Sequence, residues 1–169
     1  MTKQNSMQEL VADFMVAAGY PVNVEPIDLK AMEGRIVILR PDSDGSPYKI
    51  FFKEYLYNRI TWLDEELDEI SEAVATGDLP GLVDGLCDLL YFLLGTASSL
   101  GVEIRPIFEV IHASNMEKTD SSKAVYRGAD GKLGKPVGWK HPDIAAEIQK
   151  QFTKQGTKNG TGPKNSPAK

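Results

Sequence analysis

Residues 82–95, LVDGLCDLLYFLLG, constrain the fold more strongly than any other part of the chain. Their apolar side chains point in almost every direction around a helix, which predicts a helix that is buried on all sides. Asp84 and Asp88 nevertheless share one face of that helix, one turn apart, with Tyr91 following them. Two carboxylates about 6 Å apart repel each other by about 3 kcal/mol at an effective dielectric constant of about 20. Because burial adds a desolvation cost, a compensating positive charge is expected nearby.

No side chain close in the sequence supplies that charge. Between Arg59 and Arg105 there is no Lys, Arg or His, whereas the same interval contains ten acidic residues. A bound divalent cation is the simplest source of positive charge. Two alternatives stay open: the aspartates lie on a solvated stripe, or they pair with Arg59 or Arg105 in the fold.

The length of 169 residues predicts one domain, residues 1–152, followed by a tail. The tail, residues 153–169, has no core residue and is expected to be disordered. A hydrophobic fraction of 41% and a charged fraction of 25% are typical of soluble globular proteins. The net charge of −5 argues against nucleic acid as a general partner.

A single cysteine excludes an internal disulfide bond and favours a cytoplasmic location. The first ten residues contain no apolar core of a signal peptide. Residues 79–97 are apolar enough to raise the question of a membrane span. Their two aspartates and a Pro-Gly pair near the start argue against a span, so no membrane partner is expected.

The helical signals predict a mainly all-α fold, an antiparallel arrangement resembling a four-helix bundle. A capping box, Ser6 with Glu9, opens a helix that runs to about Ala18. Further helices are expected at about 54–76, from Asp78 to about Gly101, from 105 to about 116–118, and from 144 to 152. Two β-prone runs, 35–40 and 48–52, flank a stretch of turn-forming residues and predict a small β-hairpin inserted before residue 54.

The second helix carries an apolar stripe that is expected to face the core: Leu63, Leu67, Ile70 and Val74. Glu66 lies at the edge of the stripe, with Glu69 and Glu65 further round. An E-E-x-x-E run is common on exposed helices, but here no Lys follows at i+4 to support it.

The break at residues 76–80 is short, so the helices on either side of it should be antiparallel neighbours. Glutamates before the break and aspartates after it then lie at similar heights. Oxygen ligands of this kind suit Mg²⁺, with Mn²⁺ as a possible substitute, whereas zinc is disfavoured by the lack of a His or Cys cluster. Five carboxylates are predicted to converge: Glu65, Glu66, Glu69, Asp84 and Asp88.

Cationic and polar side chains follow the acidic region. Asn115 and Lys118 share a face near a helix C-terminus, where Lys118 could cap carbonyl groups or bind a phosphate. Residues 119–141 form a glycine-rich loop with several cations, which is either a solvated surface loop or a phosphate-contact loop. Candidate phosphate contacts are Asn115, Lys118, Arg127, Lys132 and Lys135. Tyr91 could bind a carboxylate or a sugar, or could be a core tyrosine with a partner of its own.

Four motifs occur in a characteristic order: EELDEI at 65–70, DGLCDLLYFLLGTA at 84–97, HASNMEK at 112–118 and DGKLGKP at 130–136. Together they resemble the all-α nucleoside triphosphate pyrophosphatase superfamily, which includes MazG, dimeric dUTPases and phosphoribosyl-ATP diphosphatase. The resemblance covers about residues 54–145 and is closest to MazG-like and phosphoribosyl-ATP-diphosphatase-like single-domain proteins. It implies a MazG-type fold and cleavage of a nucleotide between its α and β phosphates.

The resemblance also implies Mg²⁺ ligands, because the superfamily uses E-x-x-E on one helix and E-x-x-D on the next. Glu66 and Glu69 match the first pair, and Asp88 matches the closing aspartate. Gly85 stands where the second glutamate is usual, with Asp84 one residue earlier. The expected metal ligands are therefore Glu66, Glu69, Asp84 and Asp88.

The expected reaction is hydrolysis of a (d)NTP to a (d)NMP and pyrophosphate, with Glu65 or Glu66 activating the attacking water. Such an enzyme would control or clean the nucleotide pool. Phosphoribosyl-ATP diphosphatase-like activity and a non-catalytic nucleotide- or metal-binding helical module are the alternatives. A helix that is apolar on all faces is hard to cover with one protomer, which predicts a homo-oligomer, most simply a dimer. The preferred base and sugar, the number of ions and the role of the tail stay open.

Overall fold

The computed structural model describes residues 5–40, 45–119 and 127–156, with side chains described as far as 153. The chain divides into two compact units, Met1–Val102 and Glu103–Lys169. A single domain over residues 1–152 stays a prediction.

The first unit contains three helices and one hairpin in its described part. The mainly helical class with a small hairpin is confirmed. At the first helix, the Ser6 hydroxyl accepts a hydrogen bond from the Glu9 amide at 3.3 Å, and the Ser6 amide donates to the Glu9 carboxylate at 2.6 Å, so the predicted capping box is formed. The elements are α1 (Met7–Ala18), β1 (Ile36–Leu39), β2 (Tyr48–Phe51), α2 (Phe52–Thr76) and α3 (Leu79–Ser99).

The predicted hairpin is present immediately before α2. Its strands are antiparallel, with Ile36 opposite Phe51 and Leu39 opposite Tyr48. Most of the stretch of turn-forming residues, 41–44, lies outside the described part of the chain. Ile50 of β2 is buried with Phe52 and Tyr55 of α2, which anchors the hairpin to the beginning of that helix.

The connection between α2 and α3 follows the sequence signals closely. Gly77 ends α2 in the left-handed conformation, with φ of 72°. Asp78 then caps α3, because its carboxylate accepts a hydrogen bond from the Gly81 amide at 3.1 Å. The short turn makes the two helices neighbours, which brings the glutamates of α2 and the aspartates of α3 towards each other.

The prediction that α3 is buried on all sides is wrong for the protomer. Its buried residues are Gly85 and, with one half-buried exception, the stretch 94–99. Side chains on its other side are 40–66% exposed: Leu79, Val83, Leu86, Leu90 and Leu93. The helix is also long and apolar enough to cross a membrane on length and composition alone. Its two central aspartates remain the argument against a span.

The predicted core stripe of α2 is also partly wrong. Leu67 is 47% exposed and Val74 is 63% exposed, whereas Tyr55, Arg59 and Ala73 are the buried residues in the helix interior. The periodicity identified an apolar face of α2. The face of α2 that packs on α3 is rotated around the helix axis from that predicted face, and the half-buried Glu66 lies at its centre.

The second unit contains α4 (Ile104–Met116), a 3₁₀ turn (Glu117–Thr119) and α5 (Ile144–Gly156) in its described part. The buried Gln151 of α5 ties this helix to the start of α4. Its side-chain carbonyl accepts from the Glu103 amide, and its NH₂ group donates to the Glu103 carbonyl, both at 2.9 Å. Helix α5 continues four residues beyond its predicted end at 152, and the rest of the predicted tail, 157–169, lies outside the described residues.

Candidate active site

The five predicted carboxylates all lie in the first unit, on the two antiparallel helices α2 and α3. Glu66 is half-buried on the side of α2 that packs on α3, and the other four side chains are exposed. One carboxylate oxygen of Glu66, Oε2, is buried and has no hydrogen-bond partner among the described residues. A buried oxygen without a donor is costly, so it marks a position where a ligand would be favourable.

The electrostatic state of Glu66 links the two helices. Burial raises the pKa of Glu66, and the charges of four neighbouring carboxylates raise it further. In decreasing order of effect these neighbours are Glu69, Asp88, Asp84 and Glu65. The fold therefore brings the other four predicted carboxylates within electrostatic range of Glu66.

Arg59, one of the two candidate counter-charges, is used elsewhere. It is only 3% exposed, and its guanidinium donates to the Thr96 hydroxyl at 2.7 Å and to the Phe92 carbonyl at 2.8 Å. The same group lies 5.5–5.8 Å from the ring centres of Tyr55, Trp62 and Phe92. Arg59 therefore links α2 to α3 through hydrogen bonds and is not paired with the aspartates. The sequence pattern did not indicate this linking role.

Arg105, the other candidate, forms an exposed ion pair with Glu109 of its own helix at 3.1 Å. In the described part of the chain, no cation forms an ion pair with any of the five carboxylates. The alternative of a salt bridge with Arg59 is thus wrong, and a salt bridge with Arg105, which belongs to the second unit, stays a prediction. A solvated stripe and a metal site also remain.

The carboxylate cluster is open and not already closed around an ion. Within the described ranges, no group of three or more His, Cys, Asp or Glu side chains is placed to hold a metal. Metal binding would therefore require the exposed side chains of Glu69, Asp84 and Asp88 to rotate towards Glu66. The chemistry of the donor set fits a hard cation, since every available ligand is a carboxylate oxygen.

Close packing at Gly85 leaves little room for the second glutamate that is usual at this position. A Cβ atom at this position would lie 2.8 Å from Cγ1 of Ile70 on α2, which is closer than real Cβ contacts. A larger side chain would require the Ile70 side chain or the helices themselves to shift. The carboxylate at position 84 lies outside this close contact, on the exposed surface of α3.

Tyr91 lies one turn after Asp88 on the aspartate face and is 38% exposed. Its ring contacts that of Phe14 edge-on, with ring centres 5.6 Å apart. The Tyr91 hydroxyl forms no hydrogen bond with another described residue. The predicted bond to a carboxylate is therefore not formed, and the group remains available to a sugar or a phosphate.

In the second unit, two predicted phosphate-contact lysines lie over one aromatic ring, and a third predicted contact, Asn115, is hydrogen-bonded to one of them. The Lys118 ammonium donates to the Asn115 side-chain carbonyl at 2.8 Å and lies 5.4 Å from the ring centre of Trp139. The Lys135 ammonium lies 4.6 Å from the same ring, and the Trp139 indole donates to the Ser114 carbonyl at 3.2 Å. Sequence reasoning missed Trp139, although the tryptophan in the glycine-rich segment was a usable signal.

The other two predicted phosphate contacts belong to the turn around Gly131. Arg127 donates to the Gly131 carbonyl at 2.8 Å, and the Lys132 ammonium lies 3.5 Å from the Asp130 carboxylate. Gly131 adopts φ of 79°, in agreement with the predicted turn. The part of the predicted loop at 120–126 lies outside the described residues.

Residues 38–115 match the family model described as phosphoribosyl-ATP pyrophosphohydrolase. That family belongs to the all-α nucleoside triphosphate pyrophosphatase superfamily, and its model covers just under half of the chain. The matched region includes α2, α3 and nearly all of α4, and therefore every predicted carboxylate and Asn115. The family match implies an activity of the pyrophosphohydrolase class. A search of curated proteins found no significant match to the chain.

Proposed function

We propose that this protein is a Mg²⁺-dependent enzyme that hydrolyses a (d)NTP to a (d)NMP and pyrophosphate and thereby controls the nucleotide pool. The observation that carries the proposal is the half-buried Glu66. Its orphaned oxygen lies among four further carboxylates, and no described cation pairs with any of them. Mn²⁺ is a possible substitute for Mg²⁺.

Four carboxylates would hold the ion: Glu66, Glu69, Asp84 and Asp88. When bound, Mg²⁺ supplies charge neutralisation at the phosphate oxygens and lowers the pKa of coordinated water. The orphaned oxygen of Glu66 favours ligation for that residue, since ligation would satisfy it. Glu65, exposed and adjacent, is then the better candidate for orienting the attacking water and accepting its proton.

The expected phosphate contacts come from the polar group around Trp139. Asn115, Lys118 and Lys135 form this group, and ammonium groups over an indole ring are held without being neutralised. They would offset the negative charge that develops on the leaving pyrophosphate. Arg127 and Lys132 contact their own turn and are weaker candidates, while Tyr91 is the expected sugar contact.

Phosphoribosyl-ATP is the second candidate substrate, favoured by the description of the matched family. It contains the same α–β phosphoanhydride bond as an NTP, so the carboxylate cluster serves both reactions equally. A non-catalytic module that binds nucleotide or metal is the remaining alternative.

The decisive experiment incubates the full chain and Mg²⁺ with a panel of NTPs, dNTPs and phosphoribosyl-ATP, and measures pyrophosphate and orthophosphate separately. Pyrophosphate is the expected product, and the substrate with the highest kcat/KM selects between the two reactions. Orthophosphate as the sole first product would contradict the proposal. Binding of nucleotide without any product would favour the non-catalytic module.

Variants of the carboxylates test the same proposal. Glu69→Gln and Asp88→Asn should each lower kcat by at least about 100-fold, because a lost ligand removes several kcal/mol of charge stabilisation. Asp64→Asn, an exposed acid on the far side of α2, is the matched control and should keep its activity. Full activity in both ligand variants would exclude the proposed site.

We also propose a homodimer that covers the exposed side of α3, and a cytoplasmic location. The single cysteine, Cys87, is exposed and unpaired, which suits a reducing compartment.

A further inference from the structure

A groove lies in the first unit, between the turns that precede β1 and the first two turns of α2. Its volume is about 490 Å³, within the range of about 300–1,000 Å³ that is typical of small-molecule sites. Phe52, at its base, is only 2% exposed, and Leu56 and Met32 beside it are half-buried. The groove is therefore an apolar depression whose floor consists of buried and half-buried side chains, and it is not merely a gap between exposed side chains.

The groove is separate from the carboxylate cluster. Phe52, Leu56 and Ile60 recur every four residues along α2 and line the groove. At 100° per residue, the mean direction of the groove residues of α2 lies about 180° around the helix from that of its three glutamates. A ligand in the groove would thus be on the opposite side of α2 from the candidate active site.

The charges at the rim of the groove favour an anion. Lys30 and Lys53 both line it, against a single carboxylate, Glu33. Neither lysine ammonium forms an ion pair or a hydrogen bond with another described residue. The Tyr57 hydroxyl is a further donor at the same rim. Unpaired cations beside an apolar floor are complementary to a molecule with an apolar body and one negatively charged end.

We propose that this groove binds a small, free amphipathic carboxylate. Its aliphatic or aromatic body lies on Phe52 and Leu56, and its carboxylate is held by Lys30 and Lys53. Apolar contact supplies most of the affinity, and the lysines select the anion over a neutral molecule of the same shape. Neither the matched family nor the proposed hydrolysis assigns a ligand to this surface.

Isothermal titration of the full chain with octanoate and decanoate, both below micellar concentration, tests the proposal, with 1-decanol as the neutral match. We expect saturable binding at one site. Lengthening the acid by two methylene groups should strengthen binding by up to about 15-fold. Decanoate should bind more tightly than 1-decanol.

Three variants locate the site. Combined Lys30→Gln and Lys53→Gln should weaken decanoate about fivefold and leave 1-decanol unchanged. Ile60→Asn should weaken both ligands, and the fold should survive because Ile60 is 52% exposed. Lys49→Gln, an exposed lysine of β2 outside the groove, is the matched control and should bind as wild type.

Equal binding of decanoate and 1-decanol, or decanoate binding that the lysine variant does not weaken, would overturn the proposal. A change of oligomeric state in Ile60→Asn, seen by light scattering without any ligand, would also overturn it. In that case the groove would be an interface between copies of the chain. None of these measurements depends on pyrophosphate release, so the proposal and the hydrolase activity can fail independently.

Discussion

At the level of single residues, the ionised Glu66 carboxylate lowers the stability of the metal-free fold and is at the same time a favourable ligand for a cation. Its carboxyl group is held against α3 with one oxygen unsatisfied and four other carboxylates nearby. In the folded protein without metal, its raised pKa means that the protonated form is favoured relative to the unfolded chain. The ionised form present at neutral pH therefore destabilises the fold, and a bound cation would remove that penalty.

Glu66→Gln should accordingly stabilise the metal-free protein at neutral pH. We expect Tm to rise by about 1–3 °C, because the amide keeps the shape but carries no charge. The same variant should lose most of the Tm increase that Mg²⁺ produces in wild type. Differential scanning calorimetry measures both. Glu72→Gln, exposed on the same helix, is the control and should change neither value; a destabilised Glu66→Gln protein would contradict this account.

The raised pKa of Glu66 also sets a pH dependence. As pH falls from neutral through the pKa of the folded protein towards the ordinary value near 4.5, Glu66 takes up a proton more readily in the folded than in the unfolded state. Its unfavourable contribution to the free energy of unfolding is thereby removed.

Protons should then compete with the cation for Glu66. The apparent affinity for Mg²⁺, taken from the Tm shift in a Mg²⁺ titration, should weaken steadily as pH is lowered through that range. In Glu66→Gln the same titration should show a smaller dependence on pH. An affinity that is independent of pH in wild type would exclude Glu66 as a ligand.

At the scale of secondary-structure elements, the close packing of α1, α2 and α3 determines the site. Gly95 is buried where the three helices meet, and a Cβ atom there would lie 2.6 Å from Nη2 of Arg59 and 2.8 Å from Sδ of Met15. Arg59 in turn binds the Phe92 carbonyl and Thr96, which fixes the register of α2 against α3. The spacing of the glutamates and aspartates depends on that register.

Gly95→Ala should destabilise the protein by about 1–3 kcal/mol, since overpacking displaces two side chains that cannot move into solvent. It should also lower pyrophosphate release, because the register between the carboxylates shifts. Chemical denaturation and the pyrophosphate assay measure the two effects. Cys87→Ala, an exposed position of the same helix, should leave both unchanged. Wild-type stability in Gly95→Ala would show that the close approach is not needed.

At the scale of the whole molecule, the exposed side of α3 is the feature that remains to be explained. Its apolar residues occur at alternating spacings of four and three, which is the heptad pattern of helices that pair with other helices. They lie about 150° around the helix from the mean direction of Asp84 and Asp88, so pairing through them leaves the carboxylates accessible. These residues are Leu79, Val83, Leu86, Leu90 and Leu93.

We therefore expect a dimer in solution at micromolar concentration. Leu86→Glu should shift it to monomer, because a charge at the centre of the pairing surface would be desolvated without a partner. Light scattering coupled to gel filtration measures the mass. Val137→Glu replaces an apolar side chain that is 97% exposed in the second unit, and this control should stay dimeric. A monomeric wild-type protein would remove the expectation, and sedimentation with lipid vesicles would indicate a membrane partner instead.

Structural features that depend on neighbouring residues were predictable from the sequence alone. The capping box at Ser6, the N-cap at Asp78 and the hairpin before α2 were predictable because each relies on hydrogen bonds or turn preferences within a few residues. The spacing of the acids on α2 and α3, together with the short turn between them, predicted that carboxylates of the two helices converge. Glu66 does feel the charges of acids on both helices, but no metal-holding group is formed among the described residues.

Features that depend on contacts between distant segments became visible in the fold and not before. Helical periodicity identified apolar faces on α2 and α3, but not which face meets a neighbour, since an apolar side chain gains from burial against any partner. The partners of Arg59, the close contact between Gly85 and Ile70, and the groove beside Lys30 and Lys53 all follow from how the segments pack. That packing is set by steric fit across the fold, which no local pattern records.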